Sequence, residues 1–210
     1  SEGQRANSWH TDVTFVDAYP KASILRSVVA PAAGGDTVWA NTASAYADLP
    51  EPLRALADTL WAVHSNEYDY AGVRPSVSVE KLEEYRKVFA STVYETEHPV
   101  VRVHPVSGRR AIYVNPQFTL RIRDLKDDES KALLDFLFSQ AGVPEYQLRV
   151  KWEVDTVVMW DNRSVLHYAP HDYYPQRRTM ERVTVEGDAP INVEGEYAPE
   201  TVEGLGQVNP

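Results

Sequence analysis

Short runs of β-forming residues, each cut off by glycine, proline, asparagine or aspartate, constrain this chain of 210 residues more than any other feature. The segments Ala22–Ala30, Thr37–Ala40, Val100–His104, Ala111–Val114, Gln147–Trp152, Thr156–Trp160 and Thr179–Val185 are rich in Val, Ile, Thr and aromatics and read as strands. Helical spacing of apolar residues marks Thr42–Leu49, Pro52–Leu60, Val79–Phe89 and Asp128–Ala141, the last closed by Gly142 and Pro144. The helices are inserted among the strands and do not alternate with them. That pattern favours a mainly β, antiparallel core with inserted helices over a doubly wound sheet, and a double-sheet jelly roll is the expected form. Asn66–Ser78 has aromatic, Gly and Pro residues but no period, so it is expected to be a surface loop acting as a lid. Residues 1–188 are expected to form one catalytic domain, with 189–210 as an irregular tail.

Composition removes whole classes of function. There is no cysteine, which excludes thiolate metal sites and cysteine nucleophiles and leaves His and carboxylate as the available metal ligands. The formal charge of -10, with no Lys/Arg run, argues against nucleic-acid and anionic-membrane binding. No apolar run approaches the ~20 residues of a membrane span, and no signal peptide opens the chain. A soluble, cytoplasmic protein is expected, and a homo-oligomer.

Three groups of residues can carry chemistry. In WHTDVTF, His10 and Asp12 are two apart, so an extended strand would point both to one face. The bland alternative is a strand-end histidine bonded to a nearby aspartate. His167, at the end of an apolar strand in WDNRSVLHYAP, would complete two histidines and one carboxylate, the facial set of non-haem Fe(II) oxygenases, if the fold brings it to the pair. Arg178 and Arg182 share a strand face about 13 Å apart at ~3.3 Å per residue. Inward-facing, they can hold two anions with a metal between them; the alternative is a surface pair.

The blocks WHTDVTF, AAGGDTVWAN, HPVVRVHPVSGRRAIYVN and WDNRSVLHYAPHDYYPQRRTMERVTVEGD, in this order, resemble the taurine dioxygenase family of Fe(II)- and 2-oxoglutarate-dependent dioxygenases, with its alkylsulfatase branch. The resemblance runs from Trp9 to Asp188. It implies a double-stranded β-helix, the cupin-like jelly roll, with iron held by His10, Asp12 and His167. It implies that Thr37 and Arg178 hold the distal carboxylate of 2-oxoglutarate, and that Arg182 holds the sulfate or sulfonate of a small anionic substrate. The implied reaction uses O2, gives succinate and CO2, and hydroxylates the carbon beside the sulfur group, releasing sulfate or sulfite and an aldehyde. Family members carry a substantial segment before the WHTD block, whereas eight residues precede Trp9 here, so the domain is expected to lack the family's N-terminal segment.

Tyr68, Tyr70 and Val73 of the lid would suit an aliphatic or aromatic tail, which favours alkyl sulfates over taurine, and Tyr113 and Phe118 are candidates for the pocket wall. His64, His98, His104 and His171 read as structural, Trp9 and Trp160 as packing, and Asn115 has no assignable role. Two other readings are a non-catalytic fragment that binds iron and 2-oxoglutarate, and a cupin-like metal hydrolase, which would not need two arginines on one inner face.

Overall fold

A computed structural model of the chain describes residues 8–66 and 93–198. The lid residues Tyr68, Tyr70 and Val73, and the expected helix Val79–Phe89, lie outside the described residues.

Two antiparallel sheets carry the site. In the first, β1 (Ala22–Val29) lies between β9 (Val157–Asp161) and β11 (Thr179–Val185). In the second, β2 (Thr37–Asn41) lies between β8 (Gln147–Val150) and β10 (Val165–Tyr168). Consecutive strands keep changing sheet: β1 to β2, β8 to β9, β9 to β10 and β10 to β11 all cross over. That alternation is the topology of a jelly roll. Between the sheets Trp39, Trp152 and Trp160 form a buried cluster, flanked by Leu25, Val158 and Met180. Alternation along β1 follows from it: Leu25 faces the tryptophans, while Ile24 pairs across the outer face with exposed Met159 and Val183.

A second body of structure backs this core. The sheet β4 (Glu95–Pro99), β3 (Trp61–Ser65), β7 (Thr119–Ile122) and the ribbon β5 (Val101–Val103), β6 (Arg110–Ile112) pack with three helices. These are α1 (Thr42–Asp48), α2 (Glu51–Asp58) and α3 (Asp127–Ser139). Asn41 starts α1 by accepting from the Ala43 and Ser44 amides, both at 3.0 Å. Val100, Val101, Ile122, Leu134 and Leu137 are buried in the resulting core. Each such aliphatic side chain contributes about 1.5–3 kcal/mol relative to exposure.

The expected strands and the helices α1, α2 and α3 are present within a few residues of their predicted bounds. β3, β4 and β7 were not anticipated. Each has only four or five residues, and β4 reads Glu-Thr-Glu-His-Pro, a composition that favours no strand by itself. Their pairing comes from register against β3, which no local pattern announces. Residues 189–198 are irregular but docked: the Val103 amide donates to the Ile191 carbonyl at 3.0 Å, and Asn192 is buried.

Candidate metal centre

His10 and His167 face each other across an antiparallel bridge, with the His10 amide donating to the His167 carbonyl (3.0 Å) and the His167 amide returning the bond (2.8 Å). Directly opposed residues project to the same side, which brings the two imidazoles to 4.2 Å between centroids. The chain then leaves the bridge at once. Residues 12–15 form a turn, and Val13 takes φ 57. Asp12 is therefore aimed by a turn and not, as expected, by alternation along an extended strand. The outcome is the same convergence: Asp12 Oδ1 lies 3.8 Å from His10 Nε2 and 3.7 Å from His167 Nε2.

Among the described residues this is the one group of three His, Cys or acidic side chains with ligand atoms all within 4.8 Å of one another. All three residues are buried. His10 Nδ1 lies 2.8 Å from the Ser8 carbonyl, which can only accept, so the ring carries a proton there and turns Nε2 to the site. Burial holds His167 neutral, with its pKa down at about 3; the neighbouring His10 and Arg182 push the same way and Asp12 only partly opposes them. Burial alone would raise the Asp12 pKa, but His167, Arg182, His10 and the Ser23 hydroxyl outweigh it and hold the carboxylate below its usual range. Two imidazoles and one carboxylate are the donor set that binds Fe(II) on one face and leaves other positions open. The residues fit that ion.

One of the two arginines contacts this group directly. Arg182 lies on the side of β11 that Met180 presents to the tryptophan cluster, and Arg178, just before that strand, reaches Trp152 of the same cluster. Arg178 Nη2 donates to Thr37 Oγ1 at 3.2 Å, and its guanidinium lies 6.0 Å from the ring centroids of Trp152 and Tyr173. Burial lowers its pKa, and Nε is buried without a hydrogen-bond partner. A desolvated fork of this kind fits an incoming carboxylate. Arg182 is half exposed and pairs with Asp12 Oδ1 at 3.0 Å.

Phe118 stands edge-on to His10 at 6.2 Å. Tyr113 does not join it. Its described ring neighbours are Tyr19, His64, His98 and Arg102, and none of these belongs to the triad. His64 and His98 are core residues, His104 pairs with Asp161 at 2.9 Å, and Trp9 packs on Tyr168.

Several contributors escaped the sequence reading. Trp160 is more than packing, since its Nε1 donates to Asn162 at 2.7 Å while its ring lies 5.0 Å from that of His167. Asn115 ties the Phe118 loop to the Asp12 turn: its Oδ1 accepts from the Phe118 amide (2.9 Å) and its Nδ2 donates to Thr14 Oγ1 (3.1 Å). The Gly34-Gly35 pair did carry a signal. Both residues have φ above 70°, and a Cβ on Gly35 would come within 2.9 Å of Pro31 and 3.1 Å of the Arg178 side chain. Glycine there lets the loop before Thr37 lie against Arg178.

Comparisons with known proteins agree with this geometry. Residues 1–184 match the family described as taurine catabolism dioxygenase TauD, TfdA family. An alpha-ketoglutarate-dependent sulfate ester dioxygenase of Pseudomonas putida is 59% identical over 97% of this chain and 67% of its own length. An alkylsulfatase of Acinetobacter baylyi is 50% identical over 92% of the chain and 61% of its own length. The crystal structure of a taurine dioxygenase from Burkholderia xenovorans superposes with a TM-score of 0.78 at 39% identity, covering 96% of this chain and 67% of that one. The chain thus spans about three-fifths to two-thirds of the length of these relatives. A jelly roll with a buried His–Asp–His group, matched by this family over most of its length, belongs to the TauD/TfdA family of dioxygenases.

Proposed function

We propose that the chain carries the catalytic centre of an Fe(II)- and 2-oxoglutarate-dependent dioxygenase that oxidises the carbon next to a sulfate or sulfonate group, with alkyl sulfates favoured over taurine. The reading rests on one observation: a buried, converging His10–Asp12–His167 group has Arg182 bonded to its carboxylate, and a second cation, Arg178, is bonded to Thr37 on the strand that pairs with β10. The names of the relatives, a sulfate ester dioxygenase and an alkylsulfatase, support the substrate class.

In this proposal His10 Nε2, His167 Nε2 and Asp12 Oδ1 hold Fe(II) on one face. The bound ion supplies the redox chemistry, in which O2 and 2-oxoglutarate give succinate and CO2 and one oxygen atom enters the substrate C–H bond. Everything else falls to side chains. Thr37 Oγ1 receives hydrogens from Arg178 Nη2 and Trp152 Nε1 (2.9 Å), both of which can only donate. The Thr37 proton is therefore left to donate to the distal carboxylate of 2-oxoglutarate, while Arg178 meets its charge. Arg182, beside the carboxylate ligand and half exposed, takes the sulfate and fixes which carbon faces the metal. Phe118, 6.2 Å from His10 and 5.1 Å from Phe15, supplies apolar surface beside the metal ligands. Once the carbon carries a hydroxyl, that group loses its proton, the C–O bond to sulfate breaks with its electron pair going to sulfate, and an aldehyde is left.

The test is anaerobic addition of Fe(II) and 2-oxoglutarate, with a weak visible charge-transfer band expected. Air and an alkyl sulfate should then give succinate, sulfate and aldehyde in equal amounts. A band that is absent, or that persists in Asp12→Ala, defeats the proposal. Within it, Arg178→Ala should mainly raise the 2-oxoglutarate requirement and Arg182→Ala that of the sulfate ester. Each effect should be about 10- to 150-fold, the worth of one charge-assisted contact of ~1.5–3 kcal/mol. Equal effects of both changes on both substrates would defeat the division of roles.

A further inference from the structure

Behind Asp12 runs a buried chain of hydrogen bonds whose direction is fixed by chemistry. Trp160 Nε1 has only a hydrogen to give, so the Asn162 atom 2.7 Å away is its oxygen, Oδ1. The Asn162 Nδ2 group then faces the Pro20 carbonyl (3.0 Å) and Ser23 Oγ (3.1 Å), and both must accept. Ser23 Oγ, with a lone pair already engaged, has one proton, and 2.7 Å away is Asp12 Oδ2. Ser23 and Asn162 are fully buried, so water does not compete for these bonds. The two carboxylate oxygens are thereby made unequal: Oδ2 is held from behind by Ser23, and Oδ1 faces the two Nε2 atoms and accepts from the half-exposed Arg182 Nη1.

We propose that Ser23 is a positioning residue for the metal ligand Asp12, its hydroxyl holding Oδ2 so that Oδ1 alone is offered to the metal, with Asn162 and Trp160 fixing the direction of that bond. The inference rests on the metal-site reading above. Three elements meet in it, since Ser23 lies on β1 and pairs with Trp160 on β9, Asn162 opens the β9–β10 turn, and Asp12 lies in the turn after His10. Asp12 has no strand neighbours of its own, so its orientation depends on side chains in a way that the bridge-held histidines avoid. A carboxylate freed at Oδ2 can rotate or bind through both oxygens, which would use a position that the co-substrates need.

The probe is Co(II), with binding followed by titration and by the d–d absorption of the bound ion, in the full chain. Ser23→Ala should weaken Co(II) binding about 10- to 100-fold, the usual effect of removing a group that orients a ligand, and alter the d–d spectrum. Asn162→Ala, which releases the hydroxyl rotor, should cost less, about threefold. Ser23→Thr keeps the donor and should restore both affinity and spectrum. Thermal unfolding of the metal-free proteins separates these changes from general loosening. Native affinity and spectrum in Ser23→Ala, or equal losses in Ser23→Ala and Ser23→Thr, would overturn the proposal. Should Ser23→Ala fail to fold, Asn162→Ala against Ser23→Thr decides it: a loss confined to the former supports it, and no loss or a shared loss overturns it. Asp12→Ala serves as the control. If it binds Co(II) as well as the native chain, the metal-site reading fails; if it does not, and Ser23→Ala binds normally, only the role of Ser23 fails.

Discussion

Two pairs of buried histidines lie in this jelly roll, and only one of them belongs to the candidate metal centre. The rings of His10 and His167 lie 4.2 Å apart, tilted by 48°, and those of His64 and His98 meet edge to face at 5.2 Å. All four are buried. The difference lies in what the ring nitrogens face. In the first pair both Nε2 atoms look towards Asp12 Oδ1. In the second, His64 Nδ1 lies 3.0 Å from Thr14 Oγ1, and His98 Nε2 lies 3.1 Å from the Val16 carbonyl. Those partners are the residues that follow Asp12. One pair thus converges on a point beside a carboxylate, and the other secures the turn that carries the carboxylate there. Burial and proximity of histidines do not by themselves make a metal site; a shared target for their lone pairs does.

The largest effect expected from this contrast is on metal affinity. Removing a ligand, as in His167→Ala, should weaken Fe(II) or Co(II) binding by more than the 10- to 100-fold typical of an orienting group, with little loss of stability in the metal-free chain. His64→Ala should invert the pattern. It leaves a cavity and takes a buried partner from the Thr14 and Thr119 hydroxyls, which should cost about 2–4 kcal/mol of stability while His10, Asp12 and His167 all remain. Titration with Co(II) alongside denaturant unfolding reads both quantities. A comparable fall in affinity for both variants would erase the distinction between ligand pair and anchor pair.

The same contrast decides what was legible in the sequence. His10 and Asp12 stand two apart, and His167 ends a recognisable block, so the triad could be proposed from spacing and resemblance. The jelly roll was legible because seven β segments announce themselves by composition. The anchors were not. His64 and His98 lie on β3 and β4, and β4 has no strand signature; only pairing places its histidine beside Thr14. Ser23 gives no signal either, being one polar residue in an otherwise ordinary strand. Its role depends on Asn162, which is 139 residues away in sequence. The three side chains converge as the spacing suggested, but by another route, since Asp12 opens a turn whose next residue, Val13, is left-handed.

Acid should sharpen the comparison further. Burial pulls the His98 pKa from 6.5 down to about 4, with the Val16 carbonyl and Asp17 only partly opposing it. The unfolded chain, in which this histidine titrates near 6.5, therefore binds more protons than the folded one between those values, so stability is complete above about pH 6.5 and falls as pH drops. His64 is shifted the same way, by burial and then by His98. One such group costs about 1.4 kcal/mol per pH unit within its window, so roughly 3 kcal/mol is lost through His98 by pH 4. His98→Asn should flatten the pH profile of metal-free unfolding by about one proton's worth. An unchanged slope would show that His98 does not titrate across this range.

The smallest expected effect concerns the backbone between the two pairs. Val13 adopts φ 57, a conformation that a β-branched side chain disfavours by about 1–2 kcal/mol. It sits between the ligand Asp12 and the anchored Thr14, both of which are fixed by side-chain bonds, so neighbours on each side impose its conformation. Asparagine occupies the left-handed region far more readily. Val13→Asn should therefore relieve most of that cost and raise the unfolding midpoint by about 2–4 °C, the shift that ~1 kcal/mol produces in a chain of this size. Scanning calorimetry of the metal-free protein is the measurement. A lowered midpoint would mean that the half-buried valine side chain contributes more through packing than its backbone costs. In that case the turn would be held by apolar contact, and Thr14 with its two histidines would be following the turn instead of fixing it.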